Sequence, residues 1–260
     1  LTVQQSGWYG VEVSTIGGIC TLASDSVYIY VAGGGVESLT VSASALQLCA
    51  PEDSQLSSEI EQVVFNEDFD GGSNPALWTS ITGGAPSSVC GSNSGDGLYF
   101  SGALNRYAET VNLNALQGGT VNFYIKIANG TAPCDDADFG EDVQFEYSIN
   151  GGASWVTIAT LFEFNYPTFT FVSMPIPVLA QTGATRFRWI QPVFSAPDED
   201  VWILDNVSIS IINSSNINYN WSPASSLDDP SIFNPTATPD TATWYVLEVG
   251  QGLCTYSDSV

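Results

Sequence analysis

The densest run of side chains able to hold a cation is Cys134 to Asp142, "CDDADFGED", where carboxylates crowd a short, glycine-containing stretch. Hard oxygen donors of that kind suit calcium, but the run lacks the 12-residue EF-hand spacing that ends in glutamate. It reads as solvated surface charge. Nucleophilic chemistry is poorly furnished: the chain has no histidine, which excludes Ser-His-Asp and Cys-His arrangements and histidine-ligated zinc. No glycine-rich phosphate loop follows a strand and opens a helix. Paired carboxylates can cleave glycosides, yet among 28 acids some pair always looks suitable. The expectation is a protein that is not an enzyme.

The balance of 28 acidic against 4 basic residues (Arg106, Lys126, Arg186 and Arg188) repels nucleic acid and anionic membrane and favours divalent cations. With 44% hydrophobic residues and 7 tryptophans, 260 residues can bury real cores in one to three domains. No apolar run approaches the ~18 residues that span a bilayer. Neither a basic nor an apolar leader region opens the sequence, and the reading is a section of a longer, secreted chain.

The elements that position these side chains read as strands. Short β-branched and aromatic runs such as "VNFYIKI", "VQFEYSI", "FTFVSMPI", "TRFRWIQ" and "WILDNVSISI" alternate with Gly, Asn, Pro and Asp turns. Asn150-Gly151 between two such runs predicts a hairpin, because both residue types tolerate positive φ. No helical period persists. The pattern predicts an all-β chain of sandwiches or jelly rolls.

The two ends of the chain share a phrase. "GICTLASDSV" at 18–27 stands against "GLCTYSDSV" at 252–260, and Trp8 to Val13 stands against Trp244 to Val249. The offset is 236 positions at the tryptophans and 234 at Cys20 and Cys254. This is an internal repeat, and the last strand, which stops where the first copy runs on, reads as cut short.

Between these ends, "NEDFDGG", "VCGSNSGDGLYFSG", "VNFYIKIANGTAPC", "VQFEYSINGGASWVTIATL", "TRFRWIQP" and "DVWILDNVSIS" follow one another over Val64 to Ser210. In order and spacing this segment resembles a reelin-type subrepeat, a jelly-roll β-sandwich of extracellular proteins. The resemblance implies a disulfide between Cys90 and Cys134 and a structural calcium ion. Closing such a loop would restrict the unfolded chain by roughly 4 kcal/mol, and oxidised cysteines fit a secreted compartment. Calcium takes 6 to 8 oxygens, several from carboxylates. Glu67, Asp68 and Asp70 open the module and Asp205 closes it, so that one ion would clasp its two ends, with Asp96 in "SGDG" a further candidate.

"YNWSPASSLDDPSIFNPTATPDTATWYVLEVGQGLCTYSDSV" is similar to the second half of the small Ig-like or PKD-like domains repeated in large surface proteins of Bacteroidota. Their opening strands are absent just upstream of Tyr219 and stand instead at Leu39 to Glu59, beyond the jelly roll. The expected organisation is therefore 1–31 as the last strands of a preceding Ig-like domain, 32–62 as the first strands of the next, 63–211 as an inserted jelly roll, and 212–260 as the remaining Ig-like strands. Insertion is tolerated at loop tips whose ends are close. The competing organisation is three beads on a string. Under insertion Cys49 pairs with Cys254, and Cys20 pairs with a cysteine upstream.

These resemblances imply a structural repeat of a long extracellular, cell-surface adhesin or filament, used in attachment and gliding. Its partners would be neighbouring repeats of the same chain, surface glycans or other adhesin chains, with no nucleic acid and no membrane insertion. The alternative is a glycan- or protein-binding jelly roll, marked by an exposed aromatic platform for which Trp78, Trp155, Trp189 and Trp202 are the candidates. Asp25-Ser26-Val27, Asp240-Thr241-Ala242 and Asp258-Ser259-Val260 also resemble Bacteroidota O-glycosylation sites, with Ser26, Thr241 and Ser259 as acceptors. Native material should accordingly show intact masses above that of the peptide, and a bare peptide mass removes this expectation.

Overall fold

The computed structural model describes residues 7–14, 21–29, 36–46, 52–103, 105–212, 217–251 and 254–260. The chain divides into two units, Leu1–Gly34 and Gly35–Val260. The first unit is a hairpin of β1 (Gly7–Ser14) and β2 (Thr21–Ile29), with Tyr9 opposite Val27 and Val11 opposite Asp25.

The second unit is all-β. In chain order its strands are β3 (Val36–Ala43), β4 (Ser54–Glu67), β5 (Trp78–Thr82), β6 (Gly84–Ser87), β7 (Gly97–Phe100), β8 (Arg106–Thr110), β9 (Gly119–Ile127), β10 (Val143–Ser148) and β11 (Val156–Leu161). There follow β12 (Thr170–Pro175), β13 (Arg186–Gln191), β14 (Trp202–Ile212), β15 (Asn218–Ser222), β16 (Thr236–Ala237), β17 (Val246–Gln251) and β18 (Cys254–Ser259). The only helical pieces among the described residues are three-residue 3-10 turns. Every strand pairing is antiparallel.

One layer is the five-stranded sheet β11-β10-β13-β8-β5, and another is the sheet that runs β12-β9-β14-β4-β16. Period-2 alternation aims one side of each inward: on β9, Val121, Phe123, Ile125 and Ile127 are buried and their neighbours are not. The inner faces meet in an aromatic core, where Trp189 stacks on Phe145 at 4.9 Å and stands edge-on to Phe123 at 5.3 Å. Each ring so buried contributes about 1.5–3 kcal/mol.

A second core collects Val41, Leu56 and Ile60 from the chain before residue 63, and Trp221, Ala237, Tyr245, Leu247 and Val249 from the chain after residue 211. β4 serves both cores. Its first half pairs with β3 and buries Leu56 and Ile60, while its second half pairs with β14 and buries Phe65 in the aromatic core. Its 14 residues make it the longest of the described strands.

The β10–β11 hairpin forms as expected, with one correction. The left-handed positions are Gly151 (φ +72°) and Gly152 (φ +89°), not Asn150. Asn150 instead accepts hydrogen bonds through Oδ1 from Ser154 N at 3.0 Å and Ser148 Oγ at 2.8 Å. Its side chain thereby satisfies one turn amide and the Ser148 hydroxyl across a connection longer than two residues.

Leu56→Ala should cost about 2–5 kcal/mol. Because β4 is continuous, the loss should also lower the unfolding temperature of the aromatic core. Calorimetry that resolves two transitions, with only one displaced by the substitution, would refute this coupling.

Candidate functional site

Along one edge of β14 the partner is β9 throughout; along the other it changes from β7, opposite Trp202 to Leu204, to β4, opposite Val207 to Ile212. The change leaves a notch at Asp205 and Asn206. There β14 bulges, and Asn206 takes φ +45°. The ends of β4 and β7 both open onto this notch, so segments 67–70 and 92–97 meet over Asp205.

Asp205 is fully buried. Its Oδ2 accepts the amides of Asn93 (2.7 Å) and Ser94 (3.2 Å), and its Oδ1 accepts the Asn206 amide at 2.7 Å. Burial nevertheless pushes its pKa up to about 6, against the pull of those amides, and the nearby Asp70 charge adds to the rise. Asp70 accepts the Asp96 amide through Oδ1 at 2.7 Å. A Cβ on Gly95, which has φ +50°, would land on that same carboxylate. Glycine here lets the 92–97 loop close over Asp70.

The structure therefore brings together Asp70, Asp205 and the backbone of Asp96. Glu67 lies beside them but is engaged differently: it accepts Phe69 N (3.2 Å), Asn74 N (2.7 Å) and Trp78 Nε1 (3.0 Å), which ties the end of β4 to β5. Asp68 accepts the Asp70 amide at 3.1 Å. Among the described residues no three His, Cys, Asp or Glu side chains form a metal cluster, and the described ion pairs, Arg186–Glu109 and Arg188–Glu146, involve none of these acids. A buried carboxylate that feels a second carboxylate suits a hard dication completed by backbone carbonyls and water. The side chains able to serve as donors to such an ion are Asp70 and Asp205, with Asp68 and Asp96 adjacent.

Cys90 and Cys134 are joined by a disulfide, with Cα atoms 5.5 Å apart and a sequence separation of 44. Cys20, Cys49 and the side chain of Cys254 lie outside the described residues, as does the side chain of Ser26. Thr241 and Ser259 are exposed. Asp258, which precedes Ser259, accepts Val41 N at 2.9 Å and so fastens β18 to β3.

Of the four tryptophans considered as a platform, Trp78, Trp189 and Trp202 are core residues. Trp155 is half-buried beneath Arg188, whose guanidinium carbon sits 4.1 Å from its ring centroid. Sequence reasoning missed Asn93, Ser94 and Asn206 as the groups that hold Asp205; the signal for the first two is the Ser/Asn/Gly-rich run "GSNSGDG". It also missed Arg106. This fully buried guanidinium donates to the carbonyls of Gly102, Ala196, Glu199 and Asp200 and to Gln191 Oε1 at 2.8–3.0 Å.

The family model of Reelin subrepeat B matches residues 83–210. That segment is a reelin-like domain, of the kind found in extracellular multidomain proteins. Among solved structures, the secreted serine protease VesC from Vibrio cholerae aligns at 9% identity and a TM-score of 0.30, over 80% of this chain and 48% of that one. The chain spans about half the length of VesC, and a likeness this low carries no argument.

Calcium should raise the unfolding temperature and a chelator should lower it, by the equivalent of about 2.7 kcal/mol at a hundredfold excess of ion over its dissociation constant. Asp205→Asn should abolish the response. In chelator that variant should not be less stable by more than the one or two amide bonds it weakens, since it also removes a desolvated charge. A melting curve indifferent to calcium and chelator would leave these acids as hydrogen-bond acceptors only.

Proposed function

We propose that this chain is a structural repeat of a long extracellular adhesin or surface filament, in which the reelin-like jelly roll is inserted into a loop of a second, Ig-like sandwich. The observation that carries the reading is the pair of hairpins at its two ends. In the first, Tyr9, Val11 and Glu12 stand opposite Val27, Asp25 and Ser24; in the second, Leu247 and Glu248 stand opposite Asp258 and Ser257, and Tyr245 exchanges both backbone hydrogen bonds with Val260. The repeated phrase is thus paired in one register twice. In its second strand the first copy, "TLASDSV", is one residue longer than "TYSDSV", and its ladder slips at Val13/Ser14, where Ala23 and Thr21 are paired and Leu22 is passed over.

Insertion is supported by the second core, which draws on both sides of 63–211. In this reading the unit's work is reach and stiffness: each copy brings its own core, its disulfide and a calcium ion held by Asp70 and Asp205 with Asp68 and Asp96. Neighbouring repeats, other adhesin chains and surface glycans are its partners, at the surface of a Bacteroidota cell, in attachment and gliding. No catalytic step is assigned to it. No helix among the described residues is long and apolar enough to cross a membrane.

A second reading, a glycan-binding jelly roll, is favoured by one observation: Tyr107, Trp155 and Arg188 gather on the outer side of the five-stranded sheet. The two readings separate by experiment. Beads coated with the native chain should resist detachment by flow from a solid surface more than beads coated with unfolded chain, and Trp155→Ala should leave that difference intact. Retention equal for folded and unfolded chain removes the adhesin reading. Binding on a glycan array that disappears in Trp155→Ala selects the second.

A further inference from the structure

We propose that three loops at one end of the jelly roll, residues 135–142, 162–164 and 192–200, form a docking surface for a protein whose apolar pocket is rimmed by lysine or arginine. The loops display Phe139 at 95% exposure, Phe164 at 64%, Val193 at 55% and Phe162 at 43%. Scattered single apolar residues on a surface need no explanation, but a rigidly held group of them does.

The rigidity is built from Glu141, which is itself buried. Its Oε2 accepts the Asp138 amide at 2.7 Å while its own amide donates to the Asp138 carbonyl at 3.0 Å, which leaves Phe139-Gly140 as the tip of a closed turn. Its Oε1 accepts Ser195 Oγ at 2.9 Å, binding this loop to the 192–200 loop. Asp142 Oδ1 accepts the Glu163 amide at 3.0 Å, binding it to the 162–164 turn. Phe162 and Phe164 stack on each other at 5.6 Å, outside the core. At the base, Cys134 is fixed to Cys90, and Arg106 holds the carbonyls of Ala196, Glu199 and Asp200.

Aromatic anchors that are already ordered dominate protein interfaces, because they bury large area with little further loss of freedom. The rim decides the partner's sign. Asp136, Asp138, Asp198 and Glu199 are exposed in the same loops, which contain no Lys or Arg, while Arg106 of β8, which holds the 192–200 loop, is fully buried. Such a rim is complementary to a cationic protein surface and repels anionic lipid and nucleic acid.

The test is a yeast-display selection of small domains with a randomised concave face, run against the whole 260-residue chain without directing it to any site. Most independent clones should be enriched in lysine or arginine beside apolar residues and should lose at least tenfold in affinity for Phe139→Ser and for Phe164→Ser. Both variants alter exposed side chains, keep the net charge and should melt with the parent, so the loss reads the anchors alone. Clones that bind both variants as well as the parent overturn the proposal. Two further results would also overturn it: sedimentation with phosphatidylcholine vesicles that Phe139→Ser abolishes would make a bilayer the occupant, and self-association that the same substitution abolishes would make it a second copy of this chain.

Discussion

The structure depends on one strand being shared. β4 pairs with β3 along its first half and with β14 along its second, and it sends Leu56 and Ile60 into one hydrophobic core and Phe65 into the other. A strand cannot slip by one residue without turning its whole buried set to the wrong face. Two cores that share a strand therefore share a register. Glu61, where the two pairings overlap, adds hydrogen bonds to Ser210 Oγ at 2.8 Å and Thr120 Oγ1 at 3.2 Å and ties β4 to both β14 and β9. The connection between the two cores is thus a ladder of backbone bonds and not a flexible linker.

The same constraint makes the acidic notch. β14 is long enough to receive two different strands on one edge, and where β7 gives way to β4 that edge has no strand opposite Asp205, although β9 pairs with it on the other. Loops close over that gap, so the carboxylate is buried and must find its partners in loop amides. A chain with only four basic residues, one of them spent on backbone carbonyls around residues 196–200 and two paired with Glu109 and Glu146, has few cations to place there. A buried carboxylate beside a second one has the donor chemistry that a divalent ion takes.

Glu141, also buried, shows how burying one acid can organise a surface. Its burial and its nearness to Asp200 raise its pKa from the ordinary glutamate value. In return its two oxygens close a turn and bind two loops together, and Phe139 is left in water on a fixed frame. Rigidity below and exposure above belong to one hydrogen-bond network.

Much of this was legible in the residues themselves. The alternation in "VNFYIKI" and "TRFRWIQ" dictated strands because side chains on a pleated backbone must face opposite ways, and the repeated Trp-to-Val phrase announced the matched hairpins. Chain order could not say that Glu67, although the most buried acid of its cluster after Asp205, would be consumed by Trp78 Nε1 and two amides. Nor could it distinguish Trp155 on the surface from Trp189 in the core, since both stand at the edge of or within β runs. The sequence by itself determined the all-β class, the repeat and the pool of acids, which follow from local backbone preference and composition. Only the tertiary structure decided which acids meet, because Asp70, Asp205 and the backbone of Asp96 are joined by a change of strand partner on β14, a long-range event that no local pattern encodes.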